Sequence, residues 1–118
     1  MARNEEFVNR ALRFAVDIIS FTKTLPKERA FWVITDQLIR SGCSIGANMT
    51  EAFTASTKKD YINFYSYSLK SANETIYWLR LIQELIPKHK TVSRLMKEVE
   101  ELCRILAASI ITMKRNSK

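Results

Sequence analysis

RSGCSIGANMTE, residues Arg40 to Glu51, is the stretch that decides how this chain folds. It holds both glycines of the sequence, Gly42 and Gly46, four residues apart. Positions four apart share one face of a helix, and the neighbouring serine, cysteine and alanine side chains are small, so another backbone can approach closely here. Apolar residues continue at helical spacing on both sides: Phe31, Ile34 and Leu38 before it, Ile45, Met49 and Phe53 after it. With no proline in the stretch, the pattern favours an unbroken helix over the alternative of a loop.

The same helical spacing recurs along the rest of the chain. Four helices are predicted, with approximate bounds 4–23, 27–53, 58–86 and, for the last, a start at 91 or 93. Pro26 and Pro87 interrupt the pattern between helices. We expect Asn4 to cap the first helix and Ser56 or Thr57 to cap the third. Because short connections make neighbouring helices antiparallel, residues 1–118 predict one all-α domain, an up-down-up-down four-helix bundle.

Rows of apolar residues define the expected core. The row on helix one is Phe7, Ala11, Phe14, Ile18, Phe21 and Leu25, and a second row is expected to widen the buried face: Val8, Leu12, Ala15 and Ile19. The row on helix three is Tyr61, Tyr65, Ser68, Ala72, Thr75, Leu79, Ile82 and Ile86. The row on helix four is Val92, Leu95, Val99, Leu102, Leu106, Ile110 and Met113. Helix three carries more aromatic residues than one intramolecular face can cover, so some are expected to face another subunit.

The composition indicates a basic protein. The formal net charge is +7 and the isoelectric point is about 9.7. Such a surface attracts polyanions such as nucleic acid, or an acidic protein partner, although a basic charge can also serve solubility alone. The N-terminus lacks the layout of a signal peptide and no stretch is apolar enough to span a bilayer, so we expect a cytoplasmic protein with no membrane contact.

Several classes of chemistry are excluded by residue type. The single histidine, His89, lies in a turn where it is expected to be solvated, and a di-metal carboxylate bundle needs Glu-x-x-His on two helices. Cys43 and Cys103 are expected to be buried and reduced, and with one distant histidine they make no zinc ligand set. No glycine loop suits a phosphate, because both glycines lie within a helix. We therefore expect no enzyme activity, no metal and no cofactor.

One polar constellation links helices two and three. Its members recur at steps of three and four, so each set lines one side of its helix: Arg40, Ser44, Asn48, Glu51, Lys70, Glu74 and Tyr77. We interpret it as a buried hydrogen-bonded network that fixes the register of the two helices. A ligand or acid–base site using Asn48, Glu51, Glu74 and Tyr77, or a solvated face, are the alternatives.

Basic residues are expected to gather at one end of the bundle. In an antiparallel arrangement the start of helix three and the end of helix four lie together, which groups Lys58, Lys59, Lys114, Arg115 and Lys118. These are the candidates for contacts with nucleic-acid phosphates. A merely solvated tail is the alternative.

Three segments, RSGCSIGANMTEA, Lys59-Asp60 and LKSANETIYWLRL, resemble the four-helix-bundle proteins first known from open reading frames in intervening sequences of bacterial 23S ribosomal RNA genes. The matching positions are Arg40, Ser41, Ser44, Ile45, Ala47, Asn48, Glu51, Lys70, Glu74, Tyr77, Trp78 and Leu79. Ala52 departs from the glycine of many relatives. The resemblance implies a ring-shaped homopentamer and a likeness to the accessory protein of diversity-generating retroelements, which is basic and binds nucleic acid and a reverse transcriptase. It brings no catalytic residues.

These observations lead to two hypotheses about function. The first is a non-enzymatic oligomeric scaffold whose basic surface binds RNA or DNA, with Tyr77 or Trp78 at the contact between subunits. The second is a protein-interaction module that docks an acidic partner without nucleic acid.

Overall fold

Four helices in series make up the computed structural model, which describes residues 2–116, with side chains from residue 5 onward. Helix α1 spans Ala2–Thr22, α2 Arg29–Ala52, α3 Lys58–Leu85 and α4 Lys90–Arg115. Helix α2 packs against α1 and α3, α4 packs against α3, and the contact between α1 and α4 is the least extensive. The result is an elongated bundle of 50 × 22 × 21 Å. The predicted all-α, up-down-up-down four-helix bundle is confirmed.

The helix ends agree closely with the sequence pattern. Thr57 has extended backbone geometry and its hydroxyl accepts a hydrogen bond from the backbone N–H of Asp60 at 3.1 Å, so it caps α3 as predicted. The prediction for α1 is wrong in detail: the helix begins at Ala2, and Asn4 therefore lies inside it rather than at its cap.

The two glycines lie within an unbroken α2, as predicted, and neither has a positive φ. Both face α1. A methyl group added at Gly46 would lie 3.4 Å from Cβ of Ala11, and one added at Gly42 would lie 3.3 Å from Cγ1 of Ile18. Helix α1 therefore packs directly over these two positions of α2, and the space for a side chain is tighter at Gly42 than at Gly46.

The predicted core rows are largely buried. Buried members from α1 and the connection after it are Ala11, Phe14, Ile18, Phe21 and Leu25; those from α4 are Val92, Leu95, Val99, Leu102, Leu106 and Ile110. Phe53, beyond the end of α2, is exposed instead. The second row of α1 is also not buried as expected: Leu12 is 59% exposed and Ile19 is exposed. Helix α1 contacts α2 along the line of Ala11 and Ile18, so no helix covers its outer apolar side chains.

Three hydroxyl groups are fully buried between α2 and α3. Ser68 Oγ donates to the backbone oxygen of Ile45 at 2.7 Å, and Thr75 Oγ1 lies 2.9 Å from Ser41 Oγ. Buried polar atoms must be hydrogen-bonded, so these contacts favour one register of the two helices. Their small size also lets α2 and α3 lie close together.

His89 joins the two connections at one end of the bundle. Its Nε2 lies 3.3 Å from Thr24 Oγ1, and its ring meets the ring of Phe21 edge-on with centroids 5.0 Å apart. The expectation of a solvated histidine is therefore wrong, because the antiparallel fold brings the turn after α1 against the turn after α3.

Candidate nucleic-acid interface

A basic cleft lies at the opposite end of the bundle from His89. Its lining residues are Lys58, Lys59, Ile62, Asn63 and Lys114, and its volume is about 430 Å³. The first two turns of α3 form one side and the last turn of α4 forms the other, because the helices are antiparallel neighbours. We call this feature the lysine cleft. It brings together three of the five predicted basic residues.

The other two predicted basic residues lie outside this lining. Arg115 is exposed and follows Lys114 in the last turn of α4. Lys118 falls beyond the part of the chain that the structure describes. The expected grouping therefore holds for Lys58, Lys59 and Lys114, with Arg115 adjacent in sequence.

The two lysines of α3 occupy positions that do not serve helix stability. The N-terminal end of a helix carries a partial positive charge, so basic side chains in the first turn are unfavourable there. Lys58 and Lys59 are the first two residues of α3, and Asp60 is the acidic residue of that turn. Lys114 and Arg115, by contrast, suit the negative end of α4. Two lysine charges and the helix dipole together make the α3 side of the cleft a favourable position for an anion.

The seven residues of the predicted polar network are not joined into one network. Ser44 Oγ donates to the backbone oxygen of Arg40 at 2.7 Å, and Asn48 Nδ2 donates to that of Ser44 at 2.8 Å, so both bond within their own helix. Glu51 and Lys70 are exposed. Within residues 5–116, the Glu51 carboxylate makes no hydrogen bond or ion pair.

The bond between helices in this set is made by Arg40 and Glu74. The Arg40 guanidinium donates to the Glu74 carboxylate and also to Gln37 Oε1, while Trp78 Nε1 donates to Glu74 at 3.0 Å. The hydrogen bond from Trp78, and after it the hydrogen bond and charge of Arg40, lower the pKa of Glu74 below its usual value. This cluster lies at the surface. The buried link between α2 and α3 is instead the hydroxyl set of Ser41, Ser68 and Thr75.

Of the two predicted subunit contacts, Tyr77 is the more accessible. Tyr77 is 59% exposed, whereas Trp78 is half-buried and packs against the core. The two rings meet edge-on with centroids 5.0 Å apart. Their role between subunits stays a prediction.

Exposed apolar side chains also lie on α1 and α2. They are Leu12, Val16 and Ile19 of α1, and Trp32 and Val33 of α2, of which Trp32 is 60% exposed. Leu12, Val16 and Ile19 step by four and three and form one stripe on α1. We call these three α1 residues the apolar face. The helical spacing of these residues can be read from the sequence. From that spacing alone, however, Leu12 and Ile19 were predicted to lie in the core.

A second cleft, which the sequence did not suggest, separates α1 from α4. It has a volume of about 720 Å³, and its charged lining residues are Arg10, Arg13, Asp17, Arg94, Lys97, Glu98, Glu101 and Arg104. Five of these are basic and three acidic. The only available signal was the recurrence of charged residues at steps of three and four on both helices. We call it the charged groove.

Ion pairs across the charged groove tie α1 to α4. Arg10 donates two hydrogen bonds to the Glu98 carboxylate, at 2.7 and 2.9 Å, and Arg94 approaches Asp17 at 3.8 Å. The bond to Arg10 lowers the pKa of Glu98. Among the described residues neither Arg13 nor Lys97 forms an ion pair, although the charge of Arg13 also helps to lower the pKa of Glu98. With five basic and three acidic residues, the groove keeps a net positive charge.

The two cysteines and the possible metal ligands of the described residues complete the description of reactive side chains. Burial raises the pKa of both cysteine thiols, so neither has the lowered pKa of a nucleophilic thiol. Cys43 and Cys103 are free but only half-buried, so the expectation that both are buried is wrong. From residue 2 to residue 116, no cluster of three or more histidine, cysteine or carboxylate side chains is suited to hold a metal ion.

In that same part of the chain, none of the helices combines the length and apolarity needed to cross a membrane.

The chain is similar to a known protein family over most of its length. The model of the 23S rRNA-intervening sequence protein family matches residues 3–108. The chain belongs to this family. Among solved structures, the chain is similar to a protein of unknown function from the S23 ribosomal protein family of Bacteroides thetaiotaomicron VPI-5482. The two are 35% identical, the match covers 88% of this chain and 97% of the other, and the TM-score is 0.81. No curated protein matches.

Proposed function

We propose that this member of the 23S rRNA-intervening sequence protein family is a non-enzymatic oligomeric scaffold that binds nucleic acid. The observation that carries the proposal is the lysine cleft, where Lys58, Lys59 and Lys114 meet at one end of the bundle. Lysine side chains bind phosphates as point charges, and contacts of this kind supply most of the affinity for nucleic acid without reading its sequence. The net charge of +7 adds a long-range attraction.

The two α3 lysines do not serve helix stability, a property that they share with Arg29 and Lys90, the first residues of α2 and α4. What distinguishes them is that they meet Lys114 in one cleft. A first turn selected for stability would carry acidic residues. Replacing Lys58 and Lys59 is therefore expected to leave the protein at least as stable while it loses affinity. Solubility alone does not require the basic residues to lie at this end of α3.

The oligomeric part of the proposal is supported by exposed apolar surface. The apolar face lies on α1, whereas Tyr77 and Leu85 expose apolar surface on α3. Two different apolar patches on one subunit fit a head-to-tail contact, and repeated head-to-tail contacts close into a ring when the rotation allows it. The family resemblance implies a pentamer. Light scattering at micromolar concentration is expected to give a closed oligomer, and a monomer mass would contradict this part of the proposal.

The binding test is a fluorescence anisotropy titration of labelled oligonucleotides at several salt concentrations. For a contact with three phosphates, log affinity should fall with log salt concentration with a slope of about −2 for a single strand and about −3 for a duplex. The double variant Lys58→Ala/Lys59→Ala should weaken binding and reduce the slope by about 1 to 2. Its matched control is Lys88→Ala/Lys90→Ala, which removes the same charge from exposed positions at the other end of the bundle.

The outcomes separate three possibilities. Selective loss of binding in the Lys58/Lys59 variant supports the lysine cleft. Equal losses in both double variants would mean that diffuse charge, and not the cleft, carries the affinity. Absence of binding to RNA and DNA at low salt would refute the proposed function.

The charged groove favours a second candidate function, a module that docks an acidic protein. Arg13 and Lys97 line this groove without ion pairs among the described residues, so they are available to a carboxylate-rich segment. The discriminating experiment is a pull-down from a nuclease-treated lysate. This function predicts one stoichiometric acidic protein that wild-type bait recovers and Arg13→Glu/Lys97→Glu bait does not. Loss of all captured protein after nuclease treatment would favour the nucleic-acid scaffold.

A further inference from the structure

An exposed aromatic ring borders the lysine cleft. Asn63 lines the cleft, and Tyr67 lies one helical turn further along α3 on the same row of side chains. The Tyr67 side chain is 56% exposed, and its hydroxyl makes no hydrogen bond among the described residues. A large, accessible and otherwise unused aromatic group therefore lies beside a group of cations.

A neighbouring aromatic ring restricts the orientation of the Tyr67 ring. The rings of Phe64 and Tyr67 meet edge-on, with centroids 6.4 Å apart and planes inclined at 76°. Phe64 is half-buried and packs against the core. The edge contact restricts the ring of Tyr67 while leaving much of its surface in solvent. A ring held in this way loses little conformational freedom when a base stacks on it.

We propose that the lysine cleft and Tyr67 together bind single-stranded, and not double-stranded, nucleic acid. The inference rests on the proposed function and names its ligand class. Phosphates of the strand contact Lys58, Lys59 and Lys114, and a base stacks on Tyr67. Lys59 and Tyr67 are eight residues apart, about 12 Å along the helix axis, a distance that a few nucleotides of an extended strand span.

A duplex can make only the first of these two contacts, the one between phosphates and lysines. Its phosphates can reach the lysines, but its bases are stacked on one another and cannot lie on an external tyrosine. A single strand offers both groups, and stacking on an aromatic side chain is tolerant of base identity because every base has a π-face. The Asn63 amide, between the lysines and Tyr67, can bond to a base edge or a sugar hydroxyl.

The experiment compares affinities for three labelled ligands of equal length: a single strand, its duplex, and a single strand whose bases are replaced by abasic sites. The abasic strand keeps the phosphates and removes the stacking partner. Tyr67→Ala is expected to weaken binding of the base-bearing strand by roughly 5- to 150-fold. Tyr67→Phe keeps the ring and should bind like the wild type. Tyr67→Leu is the matched control for side-chain bulk, because it keeps an apolar side chain at the same position and removes the aromatic ring, so it should weaken binding as Tyr67→Ala does.

The wild-type protein is expected to bind the single strand tightly and the duplex and the abasic strand more weakly. Tyr67→Ala should bind the abasic strand with the same affinity as the wild type, because that strand has no base to stack on the ring. Duplex binding as tight as single-strand binding, or wild-type affinity for the base-bearing strand in Tyr67→Ala and Tyr67→Leu, would overturn this inference while leaving the proposed function intact. Failure of all three ligands to bind would refute the proposed function itself. Thermal melting of each variant checks that the exposed substitutions leave the fold unchanged.

Discussion

Alanine substitutions at the two glycines of α2 test the argument about close packing, because the two sites differ in available space. A glycine inside a helix is about 1 kcal/mol less favourable than alanine. At Gly46 a new methyl group would make ordinary contacts, at 3.4 Å from Cβ of Ala11 and 3.7 Å from the backbone nitrogen of Leu12. No neighbour has to move. Gly46→Ala is therefore expected to raise the free energy of unfolding by about 0.5 to 1 kcal/mol.

At Gly42 the same change meets a tighter site. The methyl group would lie 3.3 and 3.4 Å from Cγ1 and Cγ2 of Ile18, which is fully buried. A β-branched side chain has few rotamers with which to yield, and overpacking a core costs about 1 to 3 kcal/mol. The helix-propensity gain offsets about 1 kcal/mol of this. Gly42→Ala is expected to leave stability unchanged or to lower it by as much as about 2 kcal/mol.

The assay is urea unfolding followed by circular dichroism at 222 nm, with thermal melting as a second measurement. One kcal/mol corresponds to a shift in Tm of about 3 to 6 °C in a domain of this size. Ala47→Gly is the reference variant for helix propensity. Ala47 is exposed on the same helix, so its replacement by glycine should lower the free energy of unfolding by the propensity difference alone, about 1 kcal/mol. A destabilised Gly46→Ala, or a Gly42→Ala stabilised by as much as Ala47→Gly is destabilised, would refute the reasoning from interhelical space.

Three further predictions concern pH, buried hydroxyls and assembly. The pKa of Glu98 is lowered in the folded protein by Arg10, so the pair stabilises the fold above the unfolded pKa of about 4.3 and this contribution is lost as pH falls through the lower folded value. Glu98→Gln should lower the free energy of unfolding at pH 7 by less than about 1 kcal/mol, because the pair is part-exposed, and the difference from the wild type should shrink as the pH falls below about 4. Thr75→Val keeps the side-chain shape but deprives Ser41 of a partner, and should lower unfolding free energy by about 1 to 2 kcal/mol; a neutral result would show that this bond does not stabilise the packing of α2 on α3. Leu12→Glu should reduce the oligomer mass measured by light scattering without loss of helix content, whereas an unchanged mass would exclude Leu12 from the subunit contact.

The sequence predicted the positions of the helices well because the signals that begin and end a helix lie in neighbouring residues. Prolines, a capping threonine and apolar residues at steps of three and four are properties of a few neighbouring residues, and they located all four helices. Short connections then required antiparallel neighbours, which was enough to bring Lys58 and Lys59 beside Lys114. The one misplaced cap, Asn4, lies where the helix simply begins earlier.

What the sequence could not determine was how far each helix is rotated toward its neighbours. Periodicity shows that Leu12 and Ile19 share a side of α1 with other apolar residues. Only the packing of α2 against Ala11 and Ile18 of α1 decides that this side stays outside the bundle.

The sequence also could not determine the hydrogen-bond partners of the polar residues, because possible partners belong to different helices. Ser68 and Thr75 were expected in a buried row, yet their partners on α2 were not foreseen, and Ser44 and Asn48 were expected to bond across helices when they bond to their own backbone. The sequence by itself therefore determined the helices, their order and the end at which the lysines meet. The tertiary structure alone decided which apolar and polar side chains lie between helices, since that depends on the distance and rotation of surfaces that are remote in sequence.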